Sequence, residues 1–404
     1  MKKNIISKEQ FTNFMRHPYF RLLVIVIALL IVWIFFGFFT NGLFFSPRNL
    51  SNLMRQMTII SFLAMGMTFV IVLGHIDISV GSVAGLTSMI AACCQAIWLP
   101  PILGNLFQGL SVDSLGTIST IITVIITMLT GGLIGLIQGI IISYGSVSAF
   151  VVTLGGLYAW RGVILLTSNS RTVTPIEDSL RLIAQGYLTN ILGWFIAVLF
   201  IILIVINMFR KRNQYNLLGF TNNPLGIDII ITLLPILGVI SFVIIMNSYR
   251  GTANPVLLML IVGVLLSFVL NSTTFGRYVY AIGGNREAAS LTGINIKKVE
   301  LKVFILMGLM CGISGIVLTG YVAAGTVAGG FMFELMAIAS CFIGGVSHGG
   351  GEGTLVGAMI GCLFMTSLDN GMSVMNLEVY WQYLVKGAVL VIAVYWDMQS
   401  RKRF

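Results

Sequence analysis

Apolar residues run along most of this chain in blocks of 13 to 25, separated by short polar or glycine-rich breaks. A bilayer core of about 30 Å needs roughly 20 apolar residues per helix. On that scale the pattern predicts about twelve passes, over 22–39, 57–74, 80–98, 118–142, 149–167, 189–209, 228–247, 254–271, 303–323, 334–346, 352–370 and 380–396. The tenth block is too short to span, and the third and eleventh begin at glycine-rich breaks, VLGHIDISVGSVAG at 72–85 and FIGGVSHGGGEGTLVG at 342–357. Half-helices or re-entrant segments are expected there. The pair of breaks also hints at a duplicated architecture with broken helices. Asn49–Gln56, with Arg48 and Arg55 beside Leu50, Leu53 and Met54, suits either a helix lying on the membrane surface or a plain loop. The fold class expected is an all-α polytopic membrane protein of about 10–12 transmembrane helices.

Composition supports that class. The chain of 404 residues is 57% hydrophobic and 9% charged, against about a quarter charged in a soluble domain. Its net charge of +10 raises the question of nucleic acid, but the basic residues sit in blocks. Sixteen of the 23 Lys and Arg fall at Lys2, Lys3, Lys8, Arg16 and Arg21, at Arg210–Arg212, at Arg277, Arg286, Lys297, Lys298 and Lys302, and at Arg401–Arg403. An even number of passes puts all four blocks on one side, and basic clusters beside spans mark the cytoplasmic side. Membrane topology therefore accounts for the charge without nucleic acid, and both termini are expected in the cytoplasm. The first apolar run outlasts a signal peptide's core and has no small-residue cleavage site after it, so it reads as an anchor. Residues 1–21 are then a cytoplasmic N-terminal segment and 22–404 one transmembrane domain.

The most polar passage is Thr273–Lys302, TTFGRYVYAIGGNREAASLTGINIKKVELK. Asn285 is placed to cap a short helix whose first turn holds Glu287, Ala288 and Ala289, Gly293 to close it in a left-handed conformation, and Asn295 to start another helix. The passage reads as a docking surface for a cytoplasmic partner. Glycines four apart, at 131, 135 and 139, at 308 and 312, and at 353, 357 and 361, read as helix-packing faces.

Charges within or bordering spans need an account, since each costs on the order of 3 kcal/mol near the bilayer centre. Asp77 with Ser79 reads either as a cap for the third span or as part of a pathway. Arg161 and Lys386 call for buried carboxylate partners such as Asp369 or Glu334. His75 reads as a local hydrogen-bond partner, because no second His or Cys is spaced to complete a metal site. The five cysteines lie in apolar runs without a C-x-x-C pair and read as packing residues. No phosphate loop, H-E-x-x-H or G-x-S-x-G motif occurs, so catalysis and ATP hydrolysis are not expected of this chain, and no metal or cofactor is implied.

Five stretches carry a resemblance: IDISVGS at 76–82, AFVVTLGGLYAWRGV at 149–163, FGRYVYAIGGNREAASLTGINIKKVELKVF at 275–304, FIGGVSHGGGEGTLVGAMIG at 342–361, and LDNGMS with YWQYLVKGAVLVIAV at 368–394. They are similar to the permease subunits of bacterial ribose/xylose-type ATP-binding cassette sugar importers. The extra pair of spans around the RKRNQYN loop resembles the xylose type in particular. The resemblance implies an inner-membrane permease homodimer, cytoplasmic ATPase subunits, an extracytoplasmic sugar-binding protein, and a coupling loop over 272–302. It implies ATPase contacts at Gly284, Asn285, Arg286, Glu287, Ala288 and Gly293. For a neutral, polyhydroxylated sugar, Asn370, Gln382, Tyr383, Trp160 and Tyr158 are pathway candidates alongside Asp77, Ser79 and Glu334. The rival reading is an ion-coupled secondary transporter in which Asp77, Glu334 or Asp369 carries protons or Na⁺.

Overall fold

The computed structural model describes residues 18–217 and 225–402, so most of the N-terminal basic block and the extreme C-terminus lie outside the described residues. The described residues begin with α1 (Pro18–Phe39), α2 (Pro47–Val72) and α3 (Val80–Cys93), which runs through a π-turn at Cys94–Trp98 into α4 (Leu99–Leu106). Then follow α5 (Val112–Ser143), α6 (Ala149–Ser168), the short α7 (Asp178–Gln185), α8 (Asn190–Leu217) and α9 (Leu225–Asn247). The remainder comprises α10 (Asn254–Ser272), α11 (Thr274–Gly284), α12 (Arg286–Leu291), α13 (Ile296–Val322), α14 (Phe333–Ile343), α15 (Leu355–Val374) and α16 (Val379–Lys402). Pairing outside helices among the described residues is limited to isolated bridges, Val173 with Gly325 and Tyr187 with Ala253.

Among the described residues, eight helical segments are long and apolar enough to cross a membrane, and four shorter apolar helices join them. In chain order these twelve match the twelve apolar blocks. The basic run Arg210–Arg212 is helical, forming the last turns of α8 rather than a loop.

Helix α2 is the axis of the bundle. Leu53, Phe62, Leu63, Met65, Met67, Phe69 and Val70 are all fully buried, as befits a helix that is apolar on every side. Its polar positions cost little, because Thr58 and Thr68 hydroxyls donate to the carbonyls of Arg55 (2.6 Å) and Ala64 (2.7 Å) in their own helix. The stretch 49–56 is neither a surface helix nor a loop. It forms the opening turns of α2, capped by Ser46 with Pro47 at the first position, and Leu50, Leu53 and Met54 are buried. Those residues face protein because the bundle extends that far.

Glycine faces seat α5 on α13: β-carbons at Gly131 and Gly135 would overlap the backbone carbonyls of Gly308 and Phe304. The tenth pass is a half-helix preceded by irregular backbone. Helix α14 has 11 residues, about 16 Å of rise, roughly half a bilayer core. The stretch 323–332 before it folds back against α3, with Gly329 and Gly330 pressed on Gly85 and Gly81. Non-helical backbone at this depth is tolerated because protein surrounds it.

Candidate coupling surface and polar path

The polar passage after α10 folds as two short helices, the second with the expected caps and the first, α11, not anticipated. The Thr273 hydroxyl accepts from the Gly276 amide at 3.2 Å and opens α11. Asn285 Oδ1 accepts from the Ala288 amide at 2.9 Å and opens α12. Gly293 turns the chain with φ +82°, and Asn295 Oδ1 accepts from the Lys298 amide at 3.1 Å to open α13. These caps form because an isolated six-residue helix has almost only orphan ends to satisfy. Helix α12 buries Ala289 alone and presents Glu287, Ala288, Ser290 and Leu291 outward, Leu291 being 90% exposed. Sequence reasoning did not single out this exposed apolar side chain, its signal being merely one Leu in a polar loop.

Beneath α11 the two glycine-rich breaks meet. The Gly351 amide donates to the Val72 carbonyl at 2.8 Å. Gly283 of α11 lies so close to both that a β-carbon there would overlap the Val72 carbonyl and sit 2.7 Å from the Gly351 nitrogen. Tyr280, one turn earlier, donates its hydroxyl to the Gly353 carbonyl at 2.7 Å. The polar passage is thus seated on both breaks at once.

Helix α12 is tied to the first break by a buried carboxylate. Glu300, in the opening turns of α13, has a side chain only 2% exposed and pairs with Arg286 and with His75, the latter at 3.0 Å. His75 therefore has a distant partner, 225 positions away, not the local one expected. Arg286, expected as an ATPase contact, spends its charge inward while its side chain stays half exposed. Glu300 was not among the candidate residues. Its signal was weak: one acid in a basic run. A cavity of about 260 Å³, lined by His75, Ser143, Ser148, Arg286, Lys297 and Glu300, opens beside this clasp.

The pathway candidates separate into two places. Asp77, Ser79, Trp160 and Glu334 gather around the start of α3. Asp77 Oδ1 accepts from the Ser79 amide (2.8 Å) and hydroxyl (2.7 Å), and Ser79 also meets the Gln138 amide at 3.0 Å. Asp77 thus satisfies an amide at the helix start, as a cap would. The β-position of Gly156 is the space these groups share with the Trp160 ring nitrogen, 3.3 Å from both Ser79 Cβ and Trp160 Nε1. Trp160 Nε1 and Glu334 Oε2, the latter against Gly81, are buried atoms without a hydrogen-bond partner. Arg161 does not form the expected ion pair with a carboxylate. Its guanidinium donates to the Gly329 carbonyl at 2.9 Å and lies over the Phe331 ring, both on the irregular stretch before α14. Lys386 does pair with Asp369, at 2.7 Å.

Asn370 and Gln382 lie apart from that cluster. Asn370 exchanges amide hydrogen bonds of 2.9 and 3.1 Å with Asn49 at the start of α2, and Gln382 donates to the Leu377 carbonyl at 3.1 Å. Among the described residues no group of three or more His, Cys, Asp or Glu is placed to hold a metal ion.

Residues 49–394 match the family model described as "Branched-chain amino acid transport system / permease component". Over 384 residues the chain is 39% identical to the xylose transport system permease protein of Escherichia coli strain K12, covering 94% of this chain and 92% of that protein. It is 37% identical over 380 residues to the xylose transport system permease protein of Haemophilus influenzae strain Rd, covering 94% and 96%. The ribose import permease protein of the same Haemophilus strain is 29% identical over 399 residues, covering 98% of each chain. No solved structure matches.

Proposed function

The chain belongs to the permease-component family of branched-chain amino acid transport systems, and from that premise we propose that it is the membrane-spanning subunit of an ATP-driven monosaccharide importer, with D-xylose or another pentose as cargo. The sugar class comes from the xylose and ribose permeases that resemble it over nearly their whole length. The observation that carries the reading is the seating of the coupling passage on both glycine-rich breaks.

A cytoplasmic ATPase grips α12 through Gly284, Asn285, Glu287, Ala288, Leu291 and Gly293. When ATP closes the ATPase pair, α12 moves, and the motion passes through Gly283 and Tyr280 to the second break and through Arg286 and Glu300 to His75 on the first. Both breaks start spans, so a displacement there re-aims α3 and α15. The cluster at the start of α3 then offers the sugar an unused ring N–H at Trp160 and an unused carboxylate oxygen at Glu334. Neutral hydroxyls need donors and acceptors of that kind. Two copies of the permease form the path between them, an extracytoplasmic binding protein delivers the sugar, and both termini face the cytoplasm of a bacterial cell.

The test is capture of the tagged chain from its native membrane in mild detergent, with bound proteins identified, and D-xylose uptake in cells. A stoichiometric ATPase released by Glu287→Arg, with uptake lost on ATP depletion, is the expected result. Uptake that survives ATP depletion and collapses with the ion gradient would overturn it and place Asp77, Glu334 and Asp369 in ion coupling.

A further inference from the structure

Helices α8 and α9 form a hairpin that leans on the bundle chiefly along α2. Between this hairpin and α2, α10 and α15 lies a cavity of about 550 Å³. Its walls are hydrocarbon and sulfur, including Met57, Phe200, Phe242, Met259, Leu260 and Met359. It opens toward the surface where Val264 and Val356 are half exposed.

One end is different. Near the start of α10, Thr252 is 5% exposed and its hydroxyl has no hydrogen-bond partner; the amide nitrogen and oxygen of Asn247 are likewise buried and unpaired. A β-carbon at Gly193 would lie 3.3 Å from Asn247 Oδ1 and 3.6 Å from Thr252 Oγ1, so these groups share one pocket at the cavity's end. Buried polar groups are almost always paired, and unpaired ones point to something that pairs them. Along α10 the lining runs from Val256 to Ser267, about 16 Å of helix rise.

The apolar lining and its length along α10 select the occupant. A sugar finds almost no polar lining. A hydrocarbon chain is slender enough, and the spans around the cavity are immersed in a solvent made of such chains. We propose that the cavity holds one phospholipid acyl chain, with the ester carbonyls accepting from Asn247 Nδ2 and the Thr252 hydroxyl and the hydrocarbon tail running along α10 toward Ser267. The lipid seals the α8–α9 hairpin to the core, where direct side-chain packing is thin. This site does not depend on which solute the chain transports.

The experiment is lipid extraction and native mass spectrometry of the full chain, purified in mild detergent and washed until lipid loss stops. The expected result is one tightly retained phospholipid per chain. Gly238→Phe projects a ring into the cavity from a position whose β-carbon meets nothing within 4 Å, and retention should fall several-fold. Gly104→Phe, equally uncrowded but outside the lining, should retain the lipid. Thr252→Val, which keeps the shape and removes the donor, should weaken retention. Loss of all lipid from the unmodified chain, or equal retention in Gly238→Phe and Gly104→Phe, would mean annular lipid only and overturn the proposal. Should Gly238→Phe not fold, a phospholipid carrying a photoactivatable acyl chain, added to vesicles holding the unmodified chain, decides the matter. Cross-links at Phe242 and Met259 support the site; cross-links confined to exposed positions such as Leu384 and Val391 overturn it.

Discussion

A carboxylate sealed from water, as at Glu300, is tolerable only while its partners hold. Arg286 and His75 are those partners and come from different elements. Arg286→Ala leaves the buried charge with one partner; because Arg286 is half in water, the cost should be about 1–3 kcal/mol rather than the larger figure for a fully buried pair. His75→Ala should cost less alone. The two losses should be non-additive, since both act on the same oxygen. Thermal unfolding midpoints of the single and double variants in detergent measure this, and simple additivity would show that the residues do not share Glu300's charge. On the proposed function, Glu300→Gln should leave the chain folded and still captured by an ATPase partner while raising the ATP consumed per sugar imported, because a neutral amide holds both partners more weakly.

At the scale of elements, α12 is too short to be stable without help. Helices below about 12 residues are marginal in isolation, and this one has six. Its order comes from the Asn285 cap, the left-handed Gly293 and the Arg286 tether. Asn285→Ala should remove about 1 kcal/mol from the helix and weaken capture of the ATPase in a pull-down, whereas Asn285→Asp should preserve it. Equal capture by all three proteins would mean that α12 is not the docking element. Helix α5 depends on close backbone approach instead. Gly135→Leu forces a side chain into the Phe304 carbonyl, so folded, monodisperse protein should be lost, as judged by size-exclusion chromatography. The same change at Gly155, whose β-position is open, should be tolerated for folding.

For the molecule as a whole, an even number of passes would put the polar passage and both ends of the chain on the same face. The five native cysteines are all buried, so a membrane-impermeant maleimide should meet little background. Glu287→Cys should label only from the cytoplasmic side and Glu378→Cys, in the exposed turn between α15 and α16, only from outside. Labelling of both from one side would break the even count. The two glycine-rich breaks are 270 residues apart in sequence but hydrogen-bonded to each other under α11.

Much of this organisation is written locally. The lengths of the apolar blocks answer to bilayer thickness, the caps at Asn285 and Asn295 to orphan amides at helix starts, and the stretch 275–304 carries a family resemblance, so each could be read from a short window of sequence. The sequence by itself therefore determined the membrane class, the order of the apolar segments, the half-length of the tenth, and the caps at Asn285 and Asn295. It did not determine partners. In a bundle where nearly every helix is apolar all round, hydrophobic periodicity no longer says which face meets which neighbour. Only the tertiary structure decided that Glu300 reaches His75, that Asn370 pairs with Asn49 across 321 positions, that Arg161 serves backbone carbonyls rather than an acid, and that 49–56 is buried helix. Those outcomes depend on which helices lie side by side, and helix adjacency in a membrane is set by small-residue packing and scattered polar contacts between segments far apart in the chain.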